Sequence, residues 1–360
     1  MFRYWGRLLR VTMSVLGEVK RRVLFVPEWL ACGFSFATFK FLTRSPRPLD
    51  PRETWDRFTK PNRLIQFLED NYPPKIFVRA LLRVYYSNTL MFKNHTYGIV
   101  KHYDLSNEFY RLFLDTGYMF YSCADFVHER ESLEEAQEHK AAHFIQLMEP
   151  KPGERILYLG PGWGGMFKKI YAVTGDKEQL TGYTLSKEQK RYTDEKYGFH
   201  IELRNFVTTE YEENAFDKIF SIETFEHVRG KELLPLSQKL RKAIKPSGKI
   251  IHQVICQVGG VPPPVLLAGG FDIFPGSELS SLKRHLRVFE EANFRVAHRF
   301  ILDYRPTLRT WFQRLVEHQE EAIRLVGVRN YNRYLCYFAA AWRLFNNGDL
   351  LIVRIVLEPR

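Results

Sequence analysis

The stretch LYLGPGWGG, Leu157 to Gly165, sets four glycines directly behind a short apolar run. A strand that opens through a glycine turn into a helix brings backbone N–H groups close to a ligand at a helix N-terminus. The chemistry these residues imply is therefore the binding of a dinucleotide or an adenosyl group. The two differ at the end of the next strand. A dinucleotide calls for an acidic residue about 20 positions on, to hold the ribose; here TGYTLSKEQ supplies Thr184, Ser186 and Gln189. Neutral polar groups also hydrogen-bond a ribose, so the pattern weighs against a nicotinamide cofactor and leaves the adenosyl group open. Two residues are unusual for such a loop. Tyr158 stands where a carboxylate is common, and Pro161 removes one backbone donor from the glycine run and stiffens it.

The elements that must position this loop alternate from Glu154 onward. ERILYLG reads as a strand and GWGGMFKKIYAV as a helix; QLTGYTL is the next strand and SKEQKRYTDEKYG the next helix. IELRN and DKIFSIE follow as strands, then the helix KELLPLSQKLRKAI and the strand KIIHQVI. Phe294–Asp303 and Leu350–Leu357 are later strands, with helices over Thr307–Arg324 and Asn330–Phe345 between them. Alternation at this spacing predicts an α/β fold with a parallel, doubly wound sheet, whose ligands bind at the carboxyl ends of the strands.

Charge divides the chain differently. The formal net charge of +12 is concentrated at the front: residues 1–100 hold 17 Lys and Arg against 7 Asp and Glu, leaving only +2 for the remainder. Residues 1–22 fit a basic amphipathic helix, with Trp5, Leu8, Leu9 and Leu16 on one side and Arg3, Arg7 and Arg10 on another. Such a helix suits either an anionic membrane interface or packing on its own domain. The segment Ser45–Glu53 (SPRPLDPRE) reads as a linker or turn, and helices over Asn62–Val84 complete an N-terminal region of residues 1–95. The most apolar stretch, Val23–Phe39, contains Pro27 and Glu28 and is too interrupted to span a bilayer. Cys32, Cys123, Cys256 and Cys336 form no CxxC or Cys/His spacing, which argues against a metal site or disulfide framework and for a reducing compartment. The basic residues alternate with apolar ones at helical spacing, so nucleic acid is not the expected partner.

Several stretches taken together carry a resemblance: HYDLSNEFYRLFLDTGYMFYSCADF (His102–Phe126), SLEEAQEHK, the glycine loop with Trp163, YTLSKEQ, SIETFEHV (Ser221–Val228), IIHQVI, FDIFPGSEL and DYRPTLRTW. In this order and spacing, over roughly residues 96–360, they resemble the cyclopropane-fatty-acyl-phospholipid synthase family. The resemblance implies a Rossmann-like class I methyltransferase domain with a doubly wound seven-stranded sheet and S-adenosyl-L-methionine (SAM) as donor. It also implies a bicarbonate ion beside the transferred methyl. The matching catalytic positions are Cys123, Glu226, His252 and Tyr304; those matching the SAM contacts are Tyr121, Ser122, Gly160, Gly162, Trp163, Thr184 and Gln189, with Asn205 facing the adenine.

The implied substrate is an unsaturated phospholipid acyl chain, met by a cytoplasmic enzyme peripheral on an anionic membrane, as a monomer or a homodimer. An alkene is a weak nucleophile, so the methyl must be delivered in line and away from water. The carbocation that results suits the aromatic faces of Phe225, Trp163 and Tyr304; bicarbonate taking a proton from the new methyl would close a cyclopropane, and other ways of quenching the cation would give a methyl or methylene branch. The segment around 257–294 is expected to cover the acyl pocket. Each position has a plainer reading by itself: Cys123 as a small buried hydrophobe, His252 as a core histidine, Glu226-His227 as a cap, Tyr304 and Trp311 as core. Two rivals stay open, N-methylation of a small amine and a lipid-binding partner subunit whose SAM loop has changed.

Overall fold

A computed structural model describes residues 41–60, 105–258 and 279–360. The basic helix expected over 1–22, the helices over 62–84 and most of the expected pocket cover lie outside these residues. Seven strands form one sheet: β1 (Ile156–Leu159), β2 (Leu180–Thr184), β3 (His200–Leu203), β4 (Phe216–Ile222), β5 (Ile244–Gln257), β6 (Phe294–Leu302) and β7 (Leu350–Pro359), in the order β3-β2-β1-β4-β5-β7-β6. The first five run parallel, as the alternation predicts. β7 corrects the all-parallel expectation: it inserts antiparallel between β5 and β6.

Helices α1 (Pro51–Thr59), α2 (Asn107–Arg111), α3 (Leu133–Met148), α4 (Gly165–Thr174), α5 (Lys187–Tyr197), α6 (Leu233–Ala243), α7 (Leu282–Glu291), α8 (Arg305–Glu317) and α9 (Gln319–Asn346) surround the sheet. Their starts follow from local side chains: Asp50, Ser106, Ser132, Ser186 and Ser281 each accept a backbone N–H at an N-terminus, and Ser132 forms a capping box with Glu135. The last residues of the expected linker thus begin α1. The two predicted C-terminal helices meet at His318, and α9 is broken at Gly327, whose φ of 78° is outside the helical range.

Because strand side chains alternate between faces, β1 feeds two cores. Leu157 and Leu159 join Ile250, Val254 and the apolar sides of α6 and α7. Ile156 and Tyr158 join Phe220, Ile251, Val356 and residues of α3 and α4. A third, aromatic cluster packs α2, α8 and α9 around Phe109, Tyr110, Trp311, Tyr334 and Phe338. That cluster closes over the carboxyl edge of the sheet from the side and brings the Tyr121–Ala124 loop with it.

Candidate active site

The glycine loop is shaped by close approaches. Gly160 has φ 80°, and a Cβ there would lie 2.2 Å from Thr224 Cγ2; Thr224 in turn donates to the Leu159 carbonyl at 3.0 Å. A Cβ on Gly165 would lie 2.3 Å from the Tyr118 carbonyl, so only glycine lets the 115–122 loop cross the start of α4. That loop is held by the Asp115 carboxylate, which accepts the N–H groups of Tyr118, Met119 and Phe120 at 2.6, 3.2 and 2.8 Å. Gly162, with φ 57°, has no atom within 4 Å of the place a Cβ would take, so the loop is open toward the cleft at this residue.

The cleft lies at the carboxyl ends of β1, β2 and β4. Tyr121 and Ser122 line it from one side, Gly160, Gly162 and Trp163 from the loop, and Thr184 and Gln189 from β2 and α5. These residues suit an adenosyl group: backbone amides, neutral hydroxyl and amide groups, and aromatic faces, with a carboxylate nearby for a sulfonium. Ser186 caps α5 and receives Gln189 N–H at 3.2 Å, while the Gln189 carbonyl oxygen faces Thr184 Oγ1 at 3.3 Å. Trp163 is fixed by its indole N–H to Asn107 Oδ1 at 2.7 Å and by the Tyr110 ring at 4.9 Å. Asn205 does not line this cleft with the others. Its Oδ1 accepts Val207 N–H at 3.0 Å in a local turn, and Phe206 reaches the cleft instead.

At the far wall a buried carboxylate organises the expected catalytic positions, and it is Glu223. Its Oε1 accepts the Cys123 backbone N–H at 2.8 Å and Gln253 Nε2 at 2.9 Å; its Oε2 accepts the Tyr304 hydroxyl at 2.7 Å. Burial pushes its pKa up, while these bonds and the Lys140 ammonium pull the other way. Lys140 is itself buried, bonded to Ser122 Oγ at 2.6 Å and seated over the Phe120 ring at 4.0 Å; burial lowers its pKa to about 8. Glu226 is the opposite case. Its Oε1 accepts Ile255 N–H at 2.5 Å and its Oε2 is buried with no hydrogen-bond partner among the described residues. Burial and the nearby Glu223 charge raise it to about 8. Two carboxylates three residues apart thus sit in different surroundings: Glu223 has three donors that favour its charged form against burial, whereas Glu226 has one and is held as the acid.

Cys123 and Tyr304 thus meet at one point, as expected, but through Glu223. The Cys123 thiol faces the Ala124 and Asp303 carbonyls at 3.4 and 3.5 Å, and burial pushes its pKa well up, so the thiol stays protonated. His252 does not join them. It alternates with Gln253 along β5 and so faces the other side of the sheet, where Nδ1 meets Ser221 Oγ at 2.7 Å and the ring packs on Phe225 and Phe289. Burial lowers its pKa to about 3, leaving it neutral. Phe225 is spent on that contact and does not line the cleft. Gln253 holds its amide toward Glu223 because its Oε1 accepts from Arg354 at 3.1 and 2.7 Å, and Arg354 grips Asp125 through two bonds of 2.7 and 2.8 Å. Sequence reasoning missed Glu223, Gln253, Lys140 and Arg354. The available signal was the pair of carboxylates in SIETFEHV: the first falls immediately after β4, at the ligand end of the sheet.

A glycine cradle of this form, on the carboxyl edge of a sheet ordered 3-2-1-4-5-7-6, defines a class I SAM-dependent methyltransferase. The model of the family described as mycolic acid cyclopropane synthetase matches residues 91–355, and the chain belongs to that family. It is 30% identical to a probable fatty acid methyltransferase of Mycobacterium tuberculosis over 276 residues, 73% of this chain and 63% of that protein's length. It is 29% identical to the cyclopropane mycolic acid synthase MmaA2 of the same species over 73% of this chain and 97% of that one. The solved structure of MmaA2 superposes with a TM-score of 0.68 at 27% identity, covering 73% and 98% of the two chains. Mycolic acid cyclopropane synthase CmaA1, solved with SAH and CTAB, gives 0.67 at 25% identity over the same shares.

Proposed function

We propose that the protein transfers a one-carbon unit from SAM to the double bond of an unsaturated acyl chain of a membrane phospholipid, working at an anionic membrane surface from the cytoplasmic side. The observation that supports this most directly is the meeting of the glycine cradle with the Glu223 carboxylate in one aromatic-lined cleft. SAM, when bound, supplies an electrophilic methyl. The Gly160–Gly164 loop, Thr184 and Gln189 would hold its adenosyl part, and Tyr121, Tyr158 and Trp163 present aromatic faces that favour cationic charge over water. The bicarbonate expected from the resemblance has no place in this reading, because Glu223 already occupies the Cys123 N–H and the Tyr304 hydroxyl.

The test is calorimetric binding of SAM and SAH, followed by mass spectrometry of unsaturated phospholipid vesicles incubated with enzyme and SAM. Micromolar binding and the gain of one CH2 unit on the acyl chain are expected; no SAM binding with or without vesicles would remove the reading. A second reading, N-methylation of a small amine, is favoured by the same carboxylate, which could pair with an ammonium substrate. Methylation of amines in place of lipid in that assay would put it first.

A further inference from the structure

Glu223 is an expensive residue to keep. Its φ is 53°, in the left-handed region where a side chain is unfavourable and glycine is at ease. It is buried beside a second carboxylate, Glu226, and matched by a buried ammonium, Lys140. Backbone strain and buried charge of this kind persist only where the surroundings over-determine them, and they concentrate at functional sites. The surroundings here are specific: a backbone N–H, an amide and a phenol all donate to the one carboxylate. An ionised carboxylate offers about four acceptor positions. Two on Oε1 and one on Oε2 are taken, which leaves one on Oε2, at the wall of the cleft.

Two of these donors belong to Cys123 and Tyr304, residues that the family resemblance places around a bicarbonate ion. A free anion and the Glu223 carboxylate cannot both use them. We propose that Glu223 is the general base of the reaction, a carboxylate carried by the chain itself in place of a bound anion, and that the enzyme needs no bicarbonate. This rests on the acyl-chain reading above. In that reaction the alkene electron pair forms the bond to the transferred methyl, SAM leaves as SAH, and the neighbouring chain carbon is left cationic. The C–H pair of the new methyl then closes onto that carbon, and its proton passes to Glu223 Oε2 and afterwards to solvent. A built-in base is also placed before substrate arrives, whereas a diffusible one must be bound on each cycle.

Glu223→Gly suits the test, because glycine relaxes the backbone at φ 53° and frees all three donors without a new clash. In buffer stripped of carbon dioxide, the full-length wild type should turn over unsaturated phospholipid vesicles at the same rate with and without added bicarbonate. Glu223→Gly should fall by about 10²–10⁴-fold, the usual worth of a general base, and recover in part with bicarbonate or formate. Glu223→Gln, which keeps the space filled, should fall as far and not recover. Independently of turnover, the NMR signal of 13C-bicarbonate should broaden saturably with Glu223→Gly and not with wild type. A wild type that binds the ion or depends on it overturns the proposal, as does an active Glu223→Gln. Should the wild type act on no unsaturated lipid, the acyl-chain reading fails, and the NMR comparison still decides whether Glu223 fills the anion's place.

Discussion

The Tyr158 phenol lies against Phe220, with ring centroids 4.1 Å apart and planes 25° from parallel, and meets Phe167 edge-on at 5.6 Å. It belongs to the core beneath the cleft as much as to the cleft itself, and burial keeps it un-ionised. A carboxylate at this position would lose the aromatic contacts and add a second anion near Glu223. Tyr158→Asp should therefore cost about 3 kcal/mol in urea unfolding and leave SAM affinity no tighter by calorimetry. Tighter binding at unchanged stability would mean that the tyrosine merely replaced a useful aspartate. In the sequence, Tyr158 stands out only as a residue unusual for such a loop. What the sequence could not show was that another carboxylate, Glu223, 65 positions further on, lines the same cleft because β4 lies beside β1. Cys123 and Tyr304 were legible because each sits in a distinctive motif. His252 was legible as a residue but not as a direction, since one step along β5 decides which face of the sheet it serves.

Among the elements, the loop before α3, β7, β5 and the end of β4 are tied by one chain of polar groups: Asp125 to Arg354, Arg354 to Gln253, Gln253 to Glu223. Arg354 has no exposed surface and also sits 4.5 Å from the Phe144 ring. Arg354→Met should cost about 3–5 kcal/mol, since it leaves a largely buried aspartate with only His143, at 3.4 Å, as a side-chain partner. Adding Asp125→Asn should recover much of this, because the double variant buries no lone charge. Denaturant unfolding of the two single variants and the double measures that coupling, and strictly additive costs would refute it. The alternation of strands and helices up to β5 was plain in the sequence, because each element has its own period. The direction of β7 was not. LLIVRIVL is buried on both faces, and a continuous apolar run reads alike whether the strand runs up or down the sheet.

Over the whole molecule, the described part of the front segment is docked on the methyltransferase body. Trp55 of α1 packs on Phe312 at 4.7 Å and Trp342 at 5.4 Å, and Asn332 of α9 accepts Leu49 N–H at 3.0 Å and donates to the Arg47 carbonyl at 2.9 Å. The basic residues 1–40 precede this docked segment in the chain, and α8, one of the helices it packs on, follows directly on Tyr304, which donates to Glu223. If those residues bring the enzyme to lipid, deleting 1–22 should reduce co-sedimentation with anionic vesicles, most clearly at low salt; unchanged sedimentation would argue for packing on the protein instead. No helix among the described residues is long and apolar enough to cross a membrane. The insertion of β7 between β5 and β6 also sets a schedule. Ninety-two residues separate Gln257 from Leu350, so a growing chain can complete the glycine cradle well before Arg354 has left the ribosome. Until it does, Gln253 has no anchor, and a nascent chain able to hold a reactive methyl donor would still lack one of the three donors that fix Glu223.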